Sequence, residues 1–218
     1  MSQEILYMKS KTCLDCKICD RCCKYRGDIK ITPVNVVEIS KLLSCSIEDF
    51  LYLYTDKVKG EEPEIVLKTI GKERVCIFND EDDNRCKVQK FKPMQCVMFP
   101  LVPIDLKQGF FVNSGQCIVK SKKMTTVNKW LNGNNNLYKK HKDSTIEWIT
   151  FLEEYQPLWK NLSKKEKKNV EELLYCNYNF RENPDKQMHR NIEEAKKILE
   201  LNARVKNQKR GEKEWKIY

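Results

Sequence analysis

The sequence predicts an α+β fold: a small cysteine-rich metal-binding domain with a short β-hairpin or sheet and helices, followed by an all-helical C-terminal region. Three observations predict it. Nine of the eleven cysteines fall in two groups, Cys13, Cys16, Cys19, Cys22 and Cys23, then Cys76, Cys86, Cys96 and Cys117. Short strand-like runs lie between the cysteines of the second group. From about residue 124 the apolar residues recur at helical spacing. The change in character divides the chain into a cysteine-cluster zinc/iron-binding domain, 1–123, and a helical C-terminal extension, 124–218.

A length of 218 residues with 40% hydrophobic content is enough for one large or two small domains with a real core. No apolar run approaches the roughly 18 residues a membrane-spanning helix needs. The start, Met1 to Ser10, lacks the basic head and apolar stretch of a signal peptide. Many cysteines without a leader imply the reducing cytoplasm, where clustered thiols mean metal or redox chemistry more than disulfides. The net charge is +10, and residues 1–123 hold 21 Lys+Arg against 17 Asp+Glu. The remaining 20 and 14 lie in 124–218, so the basic excess belongs to the helical part. That excess would suit an acidic protein partner, with nucleic acid a less favoured one. Lysines interleaved with glutamates also describe an ordinary solvated helix surface, which is the preferred reading.

In chain order, Thr32 is a natural N-cap and Pro33 a natural first helical residue, with Val36, Ile39, Leu42 and Leu43 on one face. A second helix is expected after Ser46, with Asp49 at its third position and Ile47, Phe50, Leu51 and Leu53 apolar. These two helices are expected to cover a metal site. Residues 64–69 and 75–78 look like strands, 79–84 like an acidic turn, and 85–89 like the return strand of a long hairpin. The acidic turn lacks the spacing of a calcium loop. Pro93 opens and Pro100 closes a short helical turn that holds Cys96, with Val97 and Phe99 available to shield its sulfur. Residues 109–112 read as another strand. Beyond 124, Val127, Trp130 and Leu131 are helical, and 132–136 is a breaker. Ile146, Trp148, Ile149, Phe151 and Leu152 mark an amphipathic helix. Ser163 with Glu166 forms a capping box for a helix from Lys164 to Leu174. Met188 to about Lys206 reads as the last helix.

Each C-x-x-C step puts two thiolates on one tight turn, within reach of the same metal ion. The run from Cys13 to Cys22 repeats that step three times, which favours an iron–sulfur cluster, since such clusters draw on clustered thiolates from one loop. Zinc is the close alternative, because paired strands bearing Cys76 and Cys86 also suit a tetrahedral structural site. Adjacent Cys22 and Cys23 chelate a single ion poorly and better serve different metals, or one metal and a neighbouring strand. Cys45 and Cys176 sit among leucines and isoleucine and read as core. His141 and His189 are expected at the surface. Tyr54, Trp130, Trp148, Tyr155 and Trp159 are spaced as core residues more than as a stacking platform.

The run Cys16-x-x-Cys19-x-x-Cys22-Cys23 resembles the motif of the CxxCxxCC zinc- or iron-chelating domain family, also described as YkgJ-like cysteine cluster proteins. Ser46-Ile47-Glu48-Asp49-Phe50, Cys76-Ile77-Phe78, Cys86-Lys87-Val88 and Lys92-Pro93-Met94-Gln95-Cys96-Val97-Met98-Phe99-Pro100 resemble its later segments in order and spacing. The resemblance covers roughly residues 13–123. Asp20, Lys92 and Gln89 stand where the family more often has glycine, arginine and tyrosine, and none of these departures removes a sulfur. The resemblance implies that metal ions are bound by Cys16, Cys19, Cys22, Cys23, Cys76, Cys86, Cys96 and Cys117, as zinc or an iron–sulfur cluster. It also implies a link to flagellin lysine N-methylases, which carry a similar cluster.

Three functions therefore compete: a cytosolic metal-binding protein, a protein lysine N-methylation enzyme or accessory subunit, and a zinc-stabilised nucleic-acid-binding module. No glycine-rich strand-to-helix loop is present for a methyl donor. No Ser-His-Asp or Cys-His arrangement is readable. The first function is favoured, with no catalytic residue assigned.

Overall fold

The computed structural model describes residues 5–14, 23–24, 27–58, 63–83, 85–105, 109–112, 124–133 and 136–214. The fold is α+β, with helices as the larger part and, among the described residues, four small antiparallel sheets.

Helices α1 (Pro33–Leu43) and α2 (Ile47–Tyr54) start where the caps predict. Thr32 accepts the Asn35 N–H, Asn35 Oδ1 accepts the Thr32 N–H in return, and Pro33 takes the first helical position. Ser46 caps α2 by accepting the Asp49 N–H at 3.0 Å. The expected faces are corrected. Every residue of α1 from Pro33 to Ser40 is buried, so this helix has no wet side until its last turn. Leu42 and Leu53 are exposed.

Strands β2 (Lys30–Ile31), β3 (Thr55–Lys57) and β4 (Ile65–Leu67) form one sheet in the order β2-β4-β3. The next two strands, β5 (Thr69–Ile70) and β6 (Val75–Cys76), form a hairpin with Thr69 opposite Cys76. Its turn uses Gly71 at φ +70°, where a side chain would be strained. The expected long hairpin between 75–78 and 85–89 is corrected: β6 pairs backward with β5, and the return strand reduces to a single Asn79–Cys86 bridge. Gln89 already opens a 3-10 turn, Gln89–Phe91.

Helix α3 (Met94–Met98) follows Pro93 as expected and carries Cys96. Strand β7 (Leu101–Asp105) pairs with β8 (Gly109–Val112). A Cβ on Gly109 would lie 2.9 Å from Ile5 and 3.1 Å from the Leu6 carbonyl, so only glycine lets the N-terminal segment lie this close. Strand β1 (Lys11–Cys13) pairs with β9 (Met124–Thr126).

The C-terminal helices are α4 (Val127–Asn132), α5 (Leu137–Lys160), α6 (Lys164–Tyr175) and α7 (Pro184–Glu214). Both halves of the α6 capping box form: Ser163 N–H donates to Glu166 at 2.7 Å, and Glu166 N–H donates to Ser163 at 3.3 Å. Replacing Ser163 by Ala is expected to cost about 1 kcal/mol, read as a shift in the urea midpoint, with no loss of bound metal. On α5 the buried face carries Tyr138, His141, Thr145, Trp148 and Phe151, while Ile149 points outward. The apolar residues named from the sequence misplaced this face because three polar residues, His141, Ser144 and Thr145, lie on its buried side.

Among the described residues, two apolar cores result. The larger joins α1, α2, Phe78 and Val88 to Trp148, Phe151 and Trp159 of α5, Leu174 of α6 and Met188, Ile192 and Leu199 of α7. The smaller joins Leu6, Leu14, Met94, Val97 and Phe110 to Val127, Leu131, Leu137 and Tyr138. Both draw residues from each side of position 123. Tyr175 ties α6 to the segment before β4 by donating its hydroxyl to the Pro63 carbonyl at 2.7 Å. No helix among the described residues is long and apolar enough to cross a membrane.

Candidate metal centre

Four candidate ligands, Cys23, Cys76, Cys86 and Cys96, lie among the described residues, and all four are half-buried. The other four, Cys16, Cys19, Cys22 and Cys117, lie outside them.

The backbone links three of the described four. Cys76 N–H donates to the Cys23 carbonyl at 2.7 Å, so the end of the first cysteine run is fixed to β6. Asn79 N–H donates to the Cys76 carbonyl at 2.8 Å and bridges Cys86. Asp80 N–H reaches the Arg85 carbonyl, and Lys87 N–H the Phe78 carbonyl, which closes the turn between Cys76 and Cys86. Phe78 anchors that turn: its ring stacks on Tyr54 at 5.2 Å and on Phe50 at 6.4 Å.

Cys96 comes from another direction. Helix α3 turns Met94, Val97 and Met98 into the smaller core, and Cys96 packs against the larger one. Gln95 Oε1 accepts the Lys30 N–H at 2.7 Å, which fixes α3 to β2. Val97, expected as a shield, is 1% exposed.

The segments that bear the remaining candidates leave and enter through one rung. Cys13 lies opposite Met124 in the β1–β9 ladder; Leu14 alone separates Cys13 from residues 15–22, and Met124 directly follows 113–123. The exposed Cys13 thiol donates to the Met124 thioether at 3.2 Å. Leu14, 4% exposed, sets the start of the cysteine run on the smaller core beside α3. The sequence hid this clamp because three-residue strands leave no periodic signal. Among the described residues, no three His, Cys, Asp or Glu side chains converge as a metal-holding set. Cysteine sulfur suits a soft or borderline metal, and Cys76, Cys86 and Cys96 all pack half-buried against one apolar core.

Cys45 and Cys176 pack against the same core as Cys76, Cys86 and Cys96. Both are half-buried thiols packed against the larger core, as expected of core cysteines. Burial, and after it the Asp49 carboxylate, pushes the Cys45 thiol up. Burial, and after it Glu48, pushes up that of Cys176. An upward shift disfavours the thiolate, which is the form that binds metal and acts as nucleophile. Replacing either by Ala is expected to cost about 1 kcal/mol of stability and to leave metal content unchanged, measured by metal analysis of the purified variants.

The tryptophans named from the sequence pack inward rather than forming a stacking platform. Trp148 and Trp159 are buried, and Trp130 donates its indole N–H to the Met98 carbonyl. Of the two histidines, His189 is exposed as expected, but His141 is not: it is 3% exposed beside Glu38. Its place on α5, seven residues before Trp148 on the same face, was the available signal.

No curated protein and no solved structure matches the chain. A family model does match, over residues 15–133, more than half of the chain. It spans both cysteine groups from Cys16 to Cys117, along with the Cys23–Cys76–Cys86 connection, α3 and α4. The chain belongs to the CxxCxxCC family, described as "Putative zinc- or iron-chelating domain".

Proposed function

We propose that this protein is a cytoplasmic thiolate metal-binding module that holds an iron–sulfur cluster, with zinc as the alternative occupant. Its ligands are drawn from Cys16, Cys19, Cys22, Cys23, Cys76, Cys86, Cys96 and Cys117. In this reading residues 1–123 supply the ligands, and the helical residues 124–218 brace them. The observation that carries it is the hydrogen bond from Cys76 N–H to the Cys23 carbonyl, which ties the end of the first cysteine run to the strand bearing a cysteine of the second. The β1–β9 rung supports it from the other side, since both segments that bear Cys16, Cys19, Cys22 and Cys117 are tethered there.

When bound, an iron–sulfur cluster supplies one-electron chemistry, whereas zinc does no redox chemistry. The chain's own part is to present deprotonated sulfurs, to hold them through α3 and the Cys76–Cys86 turn, and to exclude water with the α1–α2 pair. The preference for iron–sulfur rests on the run from Cys13 to Cys22. Protein isolated under argon is expected to be brown, to absorb broadly in the visible and to bleach with dithionite. A colourless preparation with stoichiometric zinc, unchanged by dithionite, would reverse that preference.

A further inference from the structure

A buried charged junction, unused by the cysteine chemistry, lies between the two apolar cores. Leu137 and Tyr138 at the start of α5 belong to the smaller core, and Trp148 and Phe151 farther along belong to the larger. His141 sits between them at 3% exposure, facing Glu38 of α1 at 6%. His141 Nε2 is 3.3 Å from Glu38 Oε2, and Lys140 Nζ is 2.5 Å from Glu38 Oε1. The imidazole contact is poorly aligned, so Glu38 Oε2 and both ring nitrogens of His141 are buried without a hydrogen-bond partner. Buried polar atoms in that condition cost stability, and an apolar residue at either position would avoid the cost. Their presence at the seam of two cores calls for a role.

We infer that Glu38 and His141 form an acid-sensitive joint: neutral His141 is accommodated against the carboxylate, and a proton on its ring forces α5 to rearrange against α1. The charged groups facing the imidazole are Glu38 from α1, Lys140 on α5 itself and Asp185 at the start of α7. A protonated ring would put a second cation on a carboxylate already engaged by Lys140, in a site with little water. Burial holds the imidazole below its ordinary value of 6.5, Lys140 acts the same way, and Glu38 and Asp185 oppose them. A folded-state value below the unfolded one means that the joint is fully stable above about pH 6.5 and loses stability as the pH falls through that value. Helix α3, which carries Cys96, packs on α5 at this end, so a shift of the joint reaches the element that holds that cysteine.

The test uses full-length, metal-loaded protein under argon. With only two histidines in the chain, a carbon-edited proton spectrum shows two imidazole signals, and H189Q assigns the one from His141. The His141 signal is expected to keep its neutral position below the ordinary histidine range. The denaturant midpoint of the wild type should fall between pH 7.5 and about 5.5, and that of H141Q should fall less. E38Q should move the His141 titration further down. A His141 signal that titrates at the ordinary value without change elsewhere in the spectrum would overturn the inference, and so would equal pH slopes in wild type and H141Q. If H141Q does not fold, the wild-type and E38Q titrations decide alone.

Discussion

Replacing Cys23, Cys76, Cys86 or Cys96 by Ser is expected to lower bound metal and to unfold much of the N-terminal half, and Cys16, Cys19, Cys22 and Cys117 should behave alike. The expected loss is large. Structural thiolate sites contribute on the order of 10 kcal/mol of folding free energy, because the preformed site exists only in the folded chain. The sheets that carry Cys76 and its neighbours are two- and three-residue strands, too short to hold themselves together without outside support. Cys45 and Cys176 are the internal controls, since neither belongs to the candidate ligand set and burial pushes both thiols up. Metal analysis and far-UV circular dichroism of the ten single variants would measure the contrast. Equal behaviour of all ten would remove the division between ligands and core.

The second large effect is expected at Phe50. Its side chain is fully buried and stacks on Tyr54 and on Phe78, the residue that anchors the turn between Cys76 and Cys86. Replacing it by Ala should cost about 3–5 kcal/mol, from lost apolar burial plus the cavity left behind. Because Phe78 loses a stacking partner, metal should also pass faster to a competing chelator. Tyr52, two residues away and 79% exposed, supplies the control. Its replacement by Ala should shift stability by no more than about 0.5 kcal/mol and leave the chelator rate unchanged.

What was legible in the sequence was local. Thr32 with the adjacent Pro33, and Ser46 with Asp49 and Ser163 with Glu166 three residues apart, each announce a helix start, and all three helices begin there. The α+β class, with a helical C-terminal region, followed from the same signals. Pairing was not legible. Val75-Cys76 could pair forward or backward on propensity alone, and the tight Gly71 turn decided for β5. Strand β7 begins directly after Pro100 and contains Pro103, which hid it from a propensity reading. The inward face of α5 was hidden for another reason: the fold buries His141, Ser144 and Thr145 against expectation for polar side chains. At the candidate site, the clustering of the cysteines was readable from spacing, and the family came from the resemblance of the motifs around them. The clamp at Cys13 and Met124, and the Cys23–Cys76 hydrogen bond, join residues distant in sequence and carry no local signature.

The most direct test of the central claim is the metal content of full-length protein purified under argon, measured per folded chain by elemental analysis. The account predicts iron or zinc in stoichiometric amount, with loss of N-terminal structure when the metal is stripped. A protein that is folded, stable and free of both metals would contradict it.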